Sequence, residues 1–401
     1  MKLLIADTLP QLHVDALRKS VEVEYDPDVT AETLVSRIQG INILVVRGTK
    51  VRAEAIENGD ELELIVRAGA GTENIDMAAA STKGVYVTNC PDKNAAAVAE
   101  LTFGLLLAVD RRIPEQNTAL MEGRWNKSVF QHADGLKGKA FGVIGVGSVG
   151  REVIKRVKAF DMEVIAWSRG LTDQKAAELG VSRATSVDEL IEKCDIISLH
   201  VALTPETKHL ISADRIARMK AGTILLNTAR GPIVDNVALA EALKRGRIRA
   251  GVDVYENEPG VGDGEFVNVL VGVPNWVGTH HVGASTIQAQ NATADETVRI
   301  IESYLRTGGV ENCVNFAKVT PATYELIIRH YDRVGVLTRI LTDLRESKIN
   351  VHEVHNVIFE GANAAVAHIQ IDSYPPKEAL ERISSRKTEI ISVRSVKLQQ
   401  A

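Results

Sequence analysis

Three polar segments, each directly after an apolar run, carry the side chains best suited to anion and proton chemistry. They are Asn227-Thr228-Ala229-Arg230-Gly231, then Asp253-Val254-Tyr255-Glu256-Asn257-Glu258-Pro259, then His280-His281-Val282-Gly283-Ala284-Ser285-Thr286. An arginine fork can hold a carboxylate and polarise the carbonyl beside it. A histidine can supply a proton near neutral pH. A carboxylate can orient that histidine and stabilise its charged form. Arg, His and Glu at strand ends would therefore suit hydride transfer to a 2-keto acid, in which a new alkoxide must be protonated. Taken singly the signals are weak, since a strand-end arginine is ordinarily a surface ion-pair partner.

A fourth segment, Gly145-Val146-Gly147-Ser148-Val149-Gly150, matches G-x-G-x-x-G between an apolar run and an amphipathic stretch. The first glycine permits a tight turn and the second lets backbone approach a pyrophosphate. The third lets helix and strand pack closely, and the helix N-terminus offers N–H donors to the phosphate. An acid that bonds the ribose is expected about 20 residues on. Ser168 and Arg169 stand there instead, 18 and 19 positions beyond Gly150. Ser168 does not repel a 2′-phosphate and Arg169 could bind one, so NAD and NADP both stay open.

The elements that must position these residues alternate. LLIAD (3–7), ILVV (43–46), LELIV (62–66), AFGVIGVG (140–147), EVIAW (163–167), IISLHV (196–201), TILLN (223–227) and RAGVDV (249–254) read as buried parallel strands with helical stretches between them. This is an α/β pattern of two doubly wound, Rossmann-like domains. Residues 1–94 and 282–318 are expected to form a substrate-binding domain around a dinucleotide-binding domain at 95–281. The stretch 95–123 reads as one long helix, a linker or an oligomer surface. From about residue 322 the pattern becomes βαββαβ, the ferredoxin-like plan, giving a third domain at 319–401.

The 401 residues are 45% hydrophobic and 25% charged, with a net charge of −5. No basic run suggests a nucleic-acid partner and no apolar run is long enough for a membrane span. MKLLIADTLP reads as a first strand and not as a signal peptide. The three cysteines are scattered without metal-ligand spacing, which suits a reducing cytoplasm and no bound metal.

Taken in order, the four motifs resemble those of the D-isomer-specific 2-hydroxyacid dehydrogenases, from residue 3 to about 310. The resemblance implies that Arg230, Glu258 and His281 are catalytic and that Arg230 and His281 also touch substrate. It implies NAD contacts at Ala70, Gly145, Gly147, Ser148, Val149, Gly150, Ser168, Arg169, His200, Val201, Thr228, Asp253, Gly283 and Ala284, with Asp253 on the nicotinamide carboxamide. Two departures stand out: His280 replaces a common Pro before the catalytic His, and Ala202 replaces another.

Within the family, Val46-Arg47-Gly48-Thr49-Lys50-Val51 and Arg67-Ala68-Gly69-Ala70-Gly71-Thr72-Glu73-Asn74-Ile75-Asp76 are similar to segments of phosphoglycerate dehydrogenases. That implies a phosphate site at Arg47 and Lys50, carboxylate-binding amides around Gly69, and a substrate-loop Asn94. The implied reaction joins NAD(H) to D-3-phosphoglycerate and 3-phosphohydroxypyruvate, the first step of serine biosynthesis. Two alternatives remain: an NADPH-preferring hydroxypyruvate or glyoxylate reductase, and an NADH-sensing corepressor built on the same fold. The C-terminal stretch resembles an ACT domain, with Arg329-His330-Tyr331-Asp332-Arg333-Val334-Gly335-Val336-Leu337 and a later Ile349-Asn350-Val351. It implies an L-serine effector at His330, Asp332 and Asn350, with Asp332 departing from the Asn of serine-binding versions, and a homo-oligomer, dimer or tetramer. The strand ends carrying His330 and Asn350 are expected to be neighbours.

Overall fold

The computed structural model describes residues 1–259 and 264–398, so the last three residues of the expected C-terminal domain lie outside the described residues. The chain divides into two compact units, Met1–Asn315 and Phe316 onward.

The first unit holds two parallel sheets. Strands β1 (Lys2–Ile5), β2 (Glu22–Tyr25), β3 (Ile43–Val46), β4 (Leu64–Arg67) and β5 (Tyr86–Asn89) pair in the order β2-β1-β3-β4-β5. Strands β6 (Ala140–Ile144), β7 (Glu163–Trp167), β8 (Ser182–Arg183), β9 (Ile196–Leu199), β10 (Ile224–Asn227), β11 (Arg249–Val252) and β12 (Trp276–Gly278) pair in the order β12-β11-β10-β9-β6-β7-β8. β3, β9 and β10 are buried at every position, as strands covered by helices on both faces must be. Each fully buried Leu, Ile or Val stabilises the sheet by about 1.5–3 kcal/mol relative to exposure. The order reverses between β1 and β3 in the first sheet and between β6 and β9 in the second. At such switch points the loops after the strands part and leave a crevice.

The chain crosses between the sheets twice. Helix Ala95–Arg111 leaves the first sheet and buries Phe103 and Leu106 with Phe141 and Val143 of the second. Helix Ile287–Thr307 returns, burying Ala294, Ile300 and Ile301 with Leu3, Ile5 and Val45. The stretch 95–123 is not one helix. It ends at Arg111, and a second helix runs from Ile113 to Met121. Arg112 between them is left-handed at φ +52, and Pro114 stands in the first turn of the second helix. A left-handed residue costs about 1–2 kcal/mol, and proline cannot donate the N–H that a continuous helix would need.

The second unit contains β13 (Tyr324–Tyr331), β14 (Val351–Ile358), β15 (Ala364–Ile371) and β16 (Ile390–Lys397), antiparallel in the order β14-β15-β13-β16. Helices Val336–Glu346 and Lys377–Ser385 complete the βαββαβ plan. This order corrects one expectation. β15 lies between β13 and β14, which therefore run parallel to each other. His330 is level with Ala365 and Ile358, whereas Val351 is level with Ile371 and Tyr324. Six residues of strand, about 20 Å, thus separate the level of His330 from the start of β14 beside Asn350. Within one copy the two cannot share a small ligand. His330 is instead buried with its Nε2 3.0 Å from Asn356 Oδ1 and its Nδ1 2.8 Å from the carbonyl of Tyr331.

Candidate active site

Every residue of the first unit that the motifs single out lies on a loop near the carboxyl end of a strand or at the start of the helix that follows. In the second sheet, Gly145–Gly150 follows β6 and Ser168-Arg169 follows β7. His200-Val201 follows β9, Thr228 and Arg230 follow β10, Asp253 and Glu258 follow β11, and His281, Gly283 and Ala284 follow β12.

The glycine loop is closed on two sides and open on the third. Gly145 has φ +100, and a Cβ there would stand 2.4 Å from the His200 carbonyl oxygen. A Cβ on Gly150 would stand 2.1 Å from the Gly145 carbonyl oxygen. Nothing lies within 4 Å of a Cβ on Gly147, at the mouth of helix Ser148–Ala159. The Gly147 side is thus free to receive a pyrophosphate against the helix N-terminus. His200 donates its backbone N–H to Ile144, and its Nε2 lies 2.8 Å from Ser198 Oγ. Burial pushes its imidazole down to about 3, so it is neutral, and its buried Nδ1 has no partner among the described residues. Thr228 is buried against Thr102, their hydroxyls 2.9 Å apart. Ser168 is half-buried and Arg169 exposed. These residues fit a dinucleotide.

Asp253 organises the acid–base pair. It is buried, and its Oδ1 accepts from Thr279 Oγ1 at 2.6 Å and from the Val282 N–H at 2.9 Å. Its Oδ2 accepts from the Gly283 N–H at 2.9 Å, and its carbonyl accepts from the His281 N–H at 2.8 Å. Those contacts bend the loop so that His281 takes φ +54. A charged acceptor is worth about 1.5–3 kcal/mol per bond, so three such bonds outweigh the 1–2 kcal/mol or so of a left-handed residue. In that conformation His281 Nδ1 lies 2.6 Å from Glu258 Oε2, while Glu258 Oε1 accepts from the Tyr255 N–H at 2.7 Å. The bond to Glu258 raises the His281 pKa against the opposing effect of burial. Burial works to raise Glu258, yet the bonds from His281 and Tyr255 prevail and its pKa falls. The result is a carboxylate beside an imidazole that favours its charged form, with 48% of the His281 side chain exposed.

Across the cleft, the first sheet contributes cations. Asp7, just past β1, accepts through Oδ2 from the backbone N–H groups of Arg47 (2.7 Å), Gly48 (3.1 Å) and Thr49 (3.0 Å), which fixes the loop after β3. Arg47 is half-buried and Lys50 exposed. Asn94 is half-buried at the start of helix Ala95–Arg111. Asn89 Nδ2 donates to the Ala70 carbonyl. Arg67, at the end of β4, folds over Gly69, where a Cβ would stand 1.4 Å from its Nη1. Arg67 Nε is buried without a partner among the described residues. Burial, opposed by Glu73 and reinforced by the charges of Arg230 and Arg47, lowers its pKa. Arg230 reaches from the second sheet to Glu73 of the first, with Nε–Oε1 at 2.9 Å and Nη2–Oε2 at 3.3 Å. Glu73 is thus held by Arg230, with the charge of Arg67 nearby, and Arg47 acts on Arg67 and not on that carboxylate. Sequence reasoning passed over Arg67, Glu73 and Asp7, although Arg67 directly precedes a glycine-rich turn with room for its side chain.

Residues 103–283 match the family model described as D-isomer specific 2-hydroxyacid dehydrogenase, NAD binding domain. A D-3-phosphoglycerate dehydrogenase of Methanocaldococcus jannaschii is 41% identical over 321 residues, covering 80% of this chain and 60% of that protein. A hydroxypyruvate reductase of Thermotoga maritima is 40% identical over 300 residues, covering 74% of this chain and 96% of that protein. Among solved structures, a D-lactate dehydrogenase from Aquifex aeolicus complexed with NAD and lactic acid has a TM-score of 0.69 at 26% identity, covering 79% of this chain and 100% of that one. The chain spans about three fifths of the length of the phosphoglycerate dehydrogenases it matches first.

The His281–Glu258 pair makes a prediction independent of any substrate. In an NMR-monitored titration His281 should titrate above the ordinary 6.5, and Glu258→Gln should bring it down, because the neighbouring negative charge is gone. A His281 titration unmoved by that substitution would contradict the pairing.

Proposed function

The chain belongs to the D-isomer specific 2-hydroxyacid dehydrogenases, and from that premise we propose that it is an NAD-dependent oxidoreductase acting on D-3-phosphoglycerate and 3-phosphohydroxypyruvate. The observation that carries the phosphorylated substrate is the arginine cluster. One carboxylate needs one fork, yet Arg67 folds over Gly69 near the Arg230–Glu73 pair, and half-buried Arg47 directly follows Val46, the residue of β3 level with Arg67. A substrate bearing both a carboxylate and a phosphate uses all three.

The division of labour follows from chemistry. Arg230 holds the substrate carboxylate and polarises the carbonyl. His281 gives a proton to the alkoxide oxygen during reduction, or takes it from the hydroxyl during oxidation. Glu258 holds His281 in place and favours its charged form. Arg47, Arg67 and the amides around Gly69 receive the anionic groups, with Lys50 and Asn94 at the margin. Bound NAD supplies or accepts the hydride. The glycine loop, Ala70, Ser168, His200, Val201, Thr228, Asp253, Gly283 and Ala284 hold it. Asp253 has both oxygens engaged by the loop it organises, so its contact with a carboxamide is additional to a structural task. Residues 1–94 and 282–318 act as the substrate domain and 95–281 as the dinucleotide domain.

One observation favours the second reading, an NADPH-preferring hydroxypyruvate or glyoxylate reductase. Arg169 is exposed just beyond β7, where a 2′-phosphate would lie. The corepressor reading gains nothing from a site in which His281 and Glu258 are already paired.

For the second unit we propose an ACT-like domain that senses L-serine in a homo-oligomer, dimer or tetramer, in the cytoplasm. No helix among the described residues is long and apolar enough to cross a membrane. β14 is an edge strand with Val354, Val357 and Ile358 exposed, followed by exposed Phe359. Such an edge is a template for a second strand. Because Asp332 and Asn350 lie at opposite ends of the sheet, a ligand meeting both must sit between two copies, and His330 serves inside the domain.

Three measurements test these proposals. Arg47→Ala should raise KM for 3-phosphohydroxypyruvate at least tenfold more than for hydroxypyruvate, since a charge-assisted bond to phosphate is worth on the order of 1.5–3 kcal/mol. Equal effects would favour the reductase reading. Arg169→Ala should leave NADH kinetics nearly unchanged, and a large selective loss with NADPH would make the enzyme an NADP type. Calorimetric titration with L-serine should show binding that strengthens in Asp332→Asn, where an amide replaces a carboxylate facing the ligand's own. Absence of binding at millimolar serine in both proteins would leave assembly as the domain's role.

A further inference from the structure

Arg230 is already occupied. Its Nε and Nη2 grip both oxygens of Glu73, and its Nη1 donates to the carbonyl of its own neighbour Ala229 at 2.7 Å. The fork that should receive a substrate carboxylate thus holds a carboxylate of the protein itself. The place of the contact is as telling as its partners. A Cβ on Gly71 would stand 2.3 Å from both Arg230 Nη2 and Glu73 Oε2, so the pair lies directly on the glycine-rich turn. Glu73 and Arg230 come from different sheets, 157 positions apart, so the bond spans the cleft. Burial alone would raise Glu73, but Arg230 and Arg67 hold its pKa below the usual value, and it stays charged at neutral pH.

We propose that Glu73 is an internal stand-in for the substrate carboxylate, a positioning residue that acts through Arg230 and sets the affinity for every 2-keto acid substrate. In the free enzyme it neutralises the fork and keeps it aimed into the cleft. Substrate must displace it, and Glu73 swings toward solvent, to which 54% of its side chain is already open. Apparent affinity is then the intrinsic affinity multiplied by the fraction of forks that are free. An ion pair this exposed is weak enough to yield, so the expected penalty is about fivefold. Because every such substrate must free the same fork for its carboxylate, the penalty is the same for phosphorylated and plain keto acids. This inference rests on the dehydrogenase reading for its substrate, although the displacement itself does not require turnover.

The test uses the full-length protein with Glu73→Gln, which keeps the shape without the charge, and Glu73→Ala, which removes the carboxylate altogether. KM for 3-phosphohydroxypyruvate and for hydroxypyruvate should fall together, about fivefold, with kcat changing less than KM. Oxalate, which offers a carboxylate and no reducible carbonyl, should show the same fall in Kd by calorimetry with the NADH-loaded protein. Thermal melts identify any variant that fails to fold, and the other variant then carries the test. A higher KM with a lower kcat would make Glu73 a simple brace for Arg230 and overturn the proposal, as would an unchanged oxalate Kd. If the wild-type protein reduced no 2-keto acid but oxalate still bound more tightly to the variants, the dehydrogenase reading would fall and the role of Glu73 would stand.

Discussion

A buried carboxylate, Asp253, is the interaction on which the rest of the site depends. It lies past the end of a buried strand and gathers the hydroxyl of Thr279 and the amides of Val282 and Gly283 onto its two oxygens. Without those bonds the loop has no reason to hold His281 in a left-handed conformation, and without that conformation His281 would not meet Glu258. The space around the carboxylate is tight as well. A Cβ on Gly283 would approach Asp253 Oδ2 to 3.0 Å, so the small residue there serves the same bend. A group that looks from the sequence like a ligand contact is the keystone of the loop that carries His281.

The two sheets divide the chemistry. The second sheet carries the glycine loop and the His281–Glu258 pair, and the first carries Arg47, Arg67 and the glycine-rich turn. Arg230 joins them, rooted in one sheet and bonded to the other. Because the chain leaves the first sheet through one helix and returns through another, both ends of the cleft are anchored in packed cores. Arg67, at the end of β4, brings a largely buried guanidinium to that cleft, where the Glu73 carboxylate offsets part of the cost of burial.

Much of this was legible in the sequence, and the gaps have physical causes. Strands buried on both faces, such as ILVV at 43–46, announce themselves as uninterrupted apolar runs. β2 (EVEY) and β5 (YVTN) do not, because half their side chains are polar, and β8 is too short to show a period. The broken helix at Arg112 was signalled by Pro114 alone, because left-handed residues other than glycine carry little sequence signal. In the second unit the element order was plain, but the order of strands within a sheet is a tertiary property, and it moved Asn350 to the far end from His330. Arg230, Glu258 and His281 stood out because each sits at a strand end in a motif. Glu73 did not, since a glutamate in a polar turn reads as solvated until its partner, far away in sequence, is brought across a cleft.

The central claim is that His281, held by Glu258 beside Arg230, is the proton donor for reduction of a 2-keto acid. The direct measurement is the steady-state rate of NADH consumption with 3-phosphohydroxypyruvate for His281→Ala against the wild-type protein. The account predicts a loss in kcat of about 10²–10⁴-fold, the range usual for removal of a general acid. A folded His281→Ala protein that kept its rate within a few-fold of the wild type would contradict it.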